Sequence, residues 1–291
     1  MTWLPICRKK NNATGMKLIC LSLFGLLFCA PVFSQSKPFV LGLIEELNSS
    51  ILSEKRTVNI YLPDGYNEKD TTHYPVIYLL DGAADEDFIH ISGLVQFSSF
   101  EWVNRVPKSI VVGITSADRR RDFTSATKVE EQRKNFPSSG GSQFFIDFLE
   151  KELQPFIQKK FKTTASKTLI GQSFGGLLAT EILLKRPGLF NRYIIVSPSL
   201  WWNNADLLNY PVNALQAAAK NPLSIYIGVG KEGLTPGQNP RVMEVDANLL
   251  AEKIKAIRAS QIRLYFDYLP AENHGSILHQ AVSNAFISFA H

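Results

Sequence analysis

Cysteine is scarce in this chain: Cys7, Cys20 and Cys29 are the three in 291 residues. All precede residue 35, so the remainder can form no disulfide, offers no thiol nucleophile and has no thiolate metal site. Its stability must rest on a hydrophobic core. Long apolar runs are missing after the first segment, and nothing later could cross a bilayer as a helix. There is no G-x-G-x-x-G fingerprint, no P-loop, and no His/Asp/Glu cluster with metal-ligand spacing. Neither a cofactor nor a metal is therefore expected. Internal repeats, low-complexity tracts and interdomain linkers are absent as well.

The first segment is different. Lys17 precedes an apolar run from Leu18 to Ala30, and Pro31-Val32-Phe33-Ser34-Gln35 follows with small residues where a signal peptidase reads. This predicts a secretory signal peptide over residues 1–34, cleaved after Ser34. Met16 would start such a signal naturally, which makes residues 1–15 an over-extended start. Lipid anchoring through Cys29 is disfavoured, because Phe28 is bulky where that processing wants a small residue. The expected location is periplasmic or secreted. The leader carries Arg8, Lys9, Lys10, Lys17 and no acid, so its removal takes the formal charge from +5 to +1. The basic character belongs to the leader, and it argues for no nucleic-acid or polybasic membrane partner.

The remaining residues, 35–291, suit one domain with a sizeable core. Apolar runs of strand length alternate with helical patterns. Residues 57–62 alternate and end at Pro63-Asp64-Gly65, so they read as a half-exposed strand. Residues 75–80, 109–114, 193–196 and 223–228 read as buried strands, and 262–266 as one more. Helical spacing covers 144–161, where Pro155 should kink or shorten it, then 245–257 and 276–289. This alternation predicts an α/β fold: a doubly wound, mostly parallel sheet with helices on both faces. In such sheets the ligand site lies beyond the carboxyl ends of the strands.

One such strand end carries Gly171-Gln172-Ser173-Phe174-Gly175-Gly176. It follows Lys167-Thr168-Leu169-Ile170 and runs straight into the helical stretch 177–184. Strand, G-x-S-x-G and helix together make a nucleophile elbow, with Ser173 held at the strand tip. The flanking glycines are expected because a Cβ there would collide with strand or helix.

A serine hydroxyl needs a base. Of five histidines, His291 is terminal and His73 precedes a strand. His90 and His279 fall in helical stretches. His274 alone occupies a strand-end loop downstream of the serine, as the order Ser, acid, His requires. For the carboxylate that orients the imidazole, Glu232 after strand 223–228 is preferred, with Glu244, Asp246 and Asp267 as alternatives. The oxyanion donors are expected from the backbone N–H groups of Phe174 and of Ala83, in Asp81-Gly82-Ala83. Arg121 is a candidate substrate contact in Arg119-Arg120-Arg121-Asp122, where the competing reading is a structural Arg–Asp pair. Trp201 and Trp202 are candidates for an apolar or aromatic acyl pocket, with core packing as the competing reading.

Taken in order, Thr57-Val58-Asn59-Ile60-Tyr61-Leu62-Pro63, Tyr78-Leu79-Leu80-Asp81-Gly82, Arg121-Asp122, the elbow, Ser197-Pro198-Ser199-Leu200-Trp201-Trp202 and Asn273-His274-Gly275 resemble the putative-esterase family of α/β-hydrolases. That family includes esterase D, siderophore esterases of the enterochelin type and antigen 85 mycolyltransferases. The resemblance implies an α/β-hydrolase fold and a serine esterase, with Ser173 as nucleophile, His274 as base and the oxyanion site at Ala83 and Phe174. The acid differs within the family: some siderophore esterases look like Ser–His dyads, whereas antigen 85 uses a glutamate near the position of Glu232. Gln172 stands where many relatives carry His. The expected substrate is a small-molecule ester, of which a siderophore trilactone, an acetylated or feruloylated sugar and a small thioester are examples. Acyl transfer to an alcohol and non-catalytic binding of a siderophore or glycan are the rival functions.

Overall fold

A strand buried on both faces must offer apolar side chains to two layers at once, and the central strands here do so. In the computed structural model, which describes residues 36–290, β3 (Tyr74–Leu80) points Val76, Tyr78 and Leu80 into one core and Ile77 and Leu79 into the other. β6 (Arg192–Val196) divides likewise, with Tyr193 and Ile195 on one side and Ile194 and Val196 on the other. Around them run β1 (Leu43–Ser49), β2 (Glu54–Tyr61), β4 (Ile110–Ile114), β5 (Thr163–Gln172), β7 (Leu223–Gly230) and β8 (Ile262–Leu269). The eight strands are ordered β1-β2-β4-β3-β5-β6-β7-β8. β1 and β2 pair antiparallel, as do β2 and β4, and every later pair is parallel.

The helices in chain order are α1 (Phe88–Ser98), α2 (Arg119–Phe123), α3 (Glu130–Asn135), α4 (Ser142–Phe148), α5 (Gln154–Lys160), α6 (Phe174–Lys185), α7 (Trp202–Asn209), α8 (Asn213–Ala218), α9 (Met243–Lys255) and α10 (Ile277–Ala290). α1 and α10 cover one face through Phe88, Ile91, Val95, Ile277, Ala281 and Phe286. α4, α5, α6 and α9 cover the other, with Phe145, Phe148, Ile157, Leu178, Leu183 and Leu250 at its centre. Cutting Leu178, fully buried, to alanine would cost roughly 2–5 kcal/mol, because the methyls lost leave a cavity behind. None of the described helices is long and apolar enough to cross a membrane.

Three local features differ from the sequence expectation. Val58 to Tyr61 are all buried, so β2 is not half-exposed at its end; β1 and β4 flank it, and Asn59 turns inward to donate to the Gly82 carbonyl at 2.8 Å. The helix expected over 144–161 is broken by a π turn at Leu149–Leu153. It lies just before Pro155, whose missing N–H and bulky ring the wider turn accommodates. β1 was not anticipated at all: it is a largely exposed edge strand with few apolar residues. The expected signal peptide, its three cysteines and His291 lie outside the described residues.

Candidate active site

Ser173 sits between β5 and α6 with φ 59° and ψ −118°. A non-glycine residue there is strained, and it persists because the turn over-determines it. The Ser173 N–H bonds the Val196 carbonyl at 3.1 Å, and its own carbonyl accepts from Leu177 and Ser199. Glycine is required by sterics at two flanking positions. A Cβ on Gly171 would lie 2.4 Å from the Gly175 carbonyl oxygen, and one on Gly176 would lie 2.8 Å from that of Val196. Gly175 is different, since a Cβ there would meet only ordinary contacts, the nearest at 3.4 Å.

His274 and Glu232 come from the loops after β8 and β7. The His274 Nδ1 lies 2.6 Å from Glu232 Oε2, and the carboxylate is buried while the ring is half exposed. The other carboxylate oxygen, Oε1, accepts from the Ser197 hydroxyl and, at 3.3 Å, from the Gly230 N–H. The two loops are tied by Lys231 N–H to the Glu272 carbonyl at 2.8 Å. The His274 loop is also tied to the elbow, because the Gln172 side-chain amide donates to the His274 carbonyl. Ser173 and His274 line one open cleft of about 430 Å³. The Ser173 hydroxyl has Ser199 Oγ at 3.4 Å, and no hydrogen bond joins it to the imidazole in this state. Bonds of this kind are often long before substrate is bound.

The alternative carboxylates are engaged elsewhere. Asp246 holds Arg241 through two nitrogens, at 2.5–3.0 Å. Asp267 accepts from the Tyr226 hydroxyl at 2.6 Å. Glu244 braces the loop that carries Glu232, accepting from the N–H groups of Glu232 (2.8 Å) and Gly233 (3.0 Å). Burial pushes its carboxyl up, but these backbone donors outweigh that and the net effect is a lowered pKa.

Across the cleft, the Asp81–Asp87 loop presents the Ala83 amide. In this state that N–H donates to the Glu86 carboxylate at 3.3 Å. The Phe174 N–H heads α6, where the first turn leaves backbone donors without intrahelical partners. Asp81, itself at φ 54°, is gripped by Arg119 through two bonds of 2.8 and 3.0 Å, and the same guanidinium reaches the Gln172 carbonyl at 3.2 Å. Arg119 thus staples the Ala83 loop to the elbow. Asp81, Glu86 and Asp87 all line the cleft. Burial, reinforced by Asp81 and Glu86, pushes the Asp87 carboxyl up to about 6.

Three candidate substrate contacts, Arg121, Trp201 and Trp202, lie outside the Ser173 cleft. Arg121 is committed to Glu54 (2.6 Å) and Asp122 (2.9 Å), in a network with the buried Arg56. These bonds hold Glu54 low and Arg121 high. Arg121 does not line the cleft; Arg119, two residues earlier, does. Trp202 is fully buried, donates to the Ser125 carbonyl at 2.9 Å and is core. Trp201 is partly exposed and lines a separate groove. Sequence reasoning passed over Arg119 and Ser197, weighed Glu244 only as a rival to Glu232, and gave Gln172 no task. For Arg119 the signal was the arginine triplet, read two residues too late. Ser197 left no local signal, and nothing local gave Glu244 its bracing role, since their partners are 35 and 12 positions away.

An eight-stranded, mostly parallel sheet with a strained serine at the β5–α6 turn defines the α/β-hydrolase class. The family model described as "Putative esterase" matches residues 49–265. The chain is 30% identical over 265 residues to the ferri-bacillibactin esterase BesA of Bacillus subtilis, covering 86% of this chain and 90% of that protein. Among solved structures it is similar to the BES protein from Bacillus cereus (TM-score 0.75, 28% identity, 90% of this chain and 98% of that one). It is also similar to an IroE-like serine hydrolase from Shewanella oneidensis (TM-score 0.72, 30% identity, 84% and 79%). The chain belongs to the Putative esterase family of α/β-hydrolases and is an ester hydrolase.

Proposed function

We propose that this protein is an exported serine esterase that opens carboxylic esters of the siderophore type through an acyl-enzyme on Ser173. The observation that carries the mechanism is the 2.6 Å bond between His274 Nδ1 and Glu232, in a cleft that Ser173 shares. With Nδ1–H donated to the carboxylate, Nε2 is left as the basic nitrogen. It takes the Ser173 proton as Oγ attacks the ester carbonyl, and Glu232 steadies the imidazolium that forms. The tetrahedral oxyanion takes the Phe174 N–H and the Ala83 N–H, the latter once Glu86 has swung away. His274 then returns the proton to the leaving alkoxide. Water, deprotonated by the same nitrogen, releases the acid and restores Ser173.

The siderophore class rests on the likeness to the ferri-bacillibactin esterase BesA, which matches over most of both chains. Export rests on the apolar run from Leu18 to Ala30 behind Lys17. The test uses 4-nitrophenyl acetate, a ferric catecholate trilactone and a fluorophosphonate probe on purified protein. Ser173→Ala should abolish turnover and labelling while the protein stays folded, and His274→Ala should abolish turnover. Wild-type-like turnover by folded Ser173→Ala would end the acyl-enzyme reading. Turnover of the acetate but not of the trilactone would end the siderophore reading alone.

A further inference from the structure

Beside the cleft lies a groove of about 190 Å³, walled by α3, by Trp201 and Asn204 at the start of α7, and by the loop 235–241. Small-molecule pockets commonly hold about 300–1,000 Å³, so this one fits a single ring. It adjoins the candidate site. Trp201 is two residues beyond Ser199, whose hydroxyl is 3.4 Å from that of Ser173, and its indole packs on Phe174 with ring centroids 5.8 Å apart.

The groove is already formed. Gln238 N–H bonds Glu131 at 3.1 Å, and Asn203 N–H bonds Gln132 at 2.9 Å. The 235–241 loop is closed by Thr235 N–H to the Arg241 carbonyl at 2.7 Å. Its wall at 203–205 is held in the left-handed region, at φ 51°, 56° and 59°. Asparagine is common in that conformation, whereas Ala205 holds it at a cost in strain. A rigid wall spares a ligand the cost of ordering it.

The lining pairs an aromatic surface with neutral amides. Trp201 and Phe136 supply the rings; Asn135, Asn204, Gln238 and Asn239 supply side-chain amides, which make no hydrogen bond among the described residues. Each amide carries a donor and an acceptor side by side, matching neighbouring hydroxyls on one ring. An aromatic face attracts the slightly positive C–H bonds of a saturated ring. Cationic help for an anion is scant. Arg241 is held by Asp246 at 2.5 Å, Glu131 adds negative charge, and Arg120 stacks on Phe136 at 5.4 Å without lining the groove.

We infer that the Trp201 groove is a subsite for a neutral pyranose ring. The inference rests on the ester-hydrolase reading for its purpose, but not for its test. Binding of methyl β-D-glucopyranoside, methyl β-D-xylopyranoside and N-acetyl-D-glucosamine to the full chain is followed by ligand-detected NMR and tryptophan fluorescence. Benzamide and 2,3-dihydroxybenzoate serve as aromatic controls. At least one sugar should saturate in the millimolar range. Trp201→Ala should weaken it about tenfold or more, and Asn239→Ala, on an exposed loop, about threefold, as expected for one lost neutral hydrogen bond. Ser173→Ala should leave its affinity unchanged. The inference is overturned if no sugar saturates by roughly 100 mM, if folded Trp201→Ala and Asn239→Ala bind like the wild type, or if either aromatic control binds more tightly and competes. Loss of 4-nitrophenyl acetate turnover in the wild type would strike the hydrolase reading and leave this result standing.

Discussion

Glu232→Gln separates a charge-assisted triad from a Ser–His pair that works alone. The substitution keeps shape and removes one charge. In the wild type, Oε2 faces His274 Nδ1 at 2.6 Å while Oε1 accepts from Ser197 and from the Gly230 N–H at 3.3 Å. A glutamine amide cannot serve both sides. If its oxygen faces His274, its NH₂ confronts the Gly230 N–H, donor against donor. If it flips, the NH₂ faces Nδ1 and drives the ring proton to Nε2, which then cannot accept from Ser173. The lost attraction can be sized. Opposite charges about 4 Å apart at an effective dielectric near 20 interact by ~4 kcal/mol. The His274 ring is 45% exposed, so solvent screening reduces this to ~3 kcal/mol, or about 10²-fold in rate. We therefore expect kcat/KM for 4-nitrophenyl acetate to fall about 10²-fold, mostly in kcat, in a protein that stays folded with a somewhat lowered thermal midpoint. The imidazolium is present mainly in the transition state, which is why kcat should carry the loss. Ser197→Ala, which removes one of three contacts to the carboxylate, should cost only about 3–10-fold. A folded Glu232→Gln within about threefold of wild type would refute the argument and leave Ser173 and His274 as a dyad.

Gln172→Ala removes the amide that ties the elbow to the His274 carbonyl. It should lower kcat about 3–10-fold with little change in KM, and Gln172→His, which retains an N–H donor, should recover most of the loss. Equal losses in both variants would deny Gln172 its positioning task. Asp87 gives a pH-dependent prediction for stability. Its carboxyl is raised from 3.8 to about 6, so the folded state holds the proton more tightly than the unfolded one. The stability this confers is full below the unfolded value and is lost as pH rises through 6. Discounted for its partial exposure, Asp87→Asn should stabilise by ~1 kcal/mol at pH 8 and by progressively less toward pH 4. Urea denaturation across that range measures it, and a pH-independent difference would contradict it. Glu86→Gln should weaken the competing hold on the Ala83 N–H and raise kcat/KM by about 2–5-fold; a fall would show that Glu86 supports the site rather than obstructs it.

The sheet was readable because buried parallel strands need apolar residues on both faces, so 75–80, 109–114 and 193–196 stand out as near-continuous apolar runs. The strands observed there are β3, β4 and β6. The same logic fails at β1. Leu43 to Ser49 carries Glu45, Glu46 and Asn48 and is exposed along most of its length; its place comes from pairing with β2, which is a tertiary fact. Pro155 gave a readable break in the 144–161 helix. It did not reveal that a π turn would absorb the break and keep Phe145, Phe148 and Leu153 buried together.

The site divides along the same line. Chain order and strand ends can point to a serine, a histidine and an acid, because each sits where the topology obliges a loop to face the cleft. They cannot choose among neighbours in a charged run. Arg119 and Arg121 differ by two positions on a helix of five residues, which turns them about 200° apart around its axis. One meets Asp81 and the elbow; the other meets Glu54 and Asp122. Partner geometry decides that, through Glu54 on β2 and Asp81 after β3, far away in sequence. A pair of alanine substitutions tests this division of labour: Arg119→Ala should loosen the Ala83 loop and cost activity about tenfold or more at ~1.4 kcal/mol per decade. Arg121→Ala should instead lower the melting temperature and leave kcat/KM of the folded fraction within about twofold. The reverse pattern would mean that the arginine serving the cleft has been misassigned.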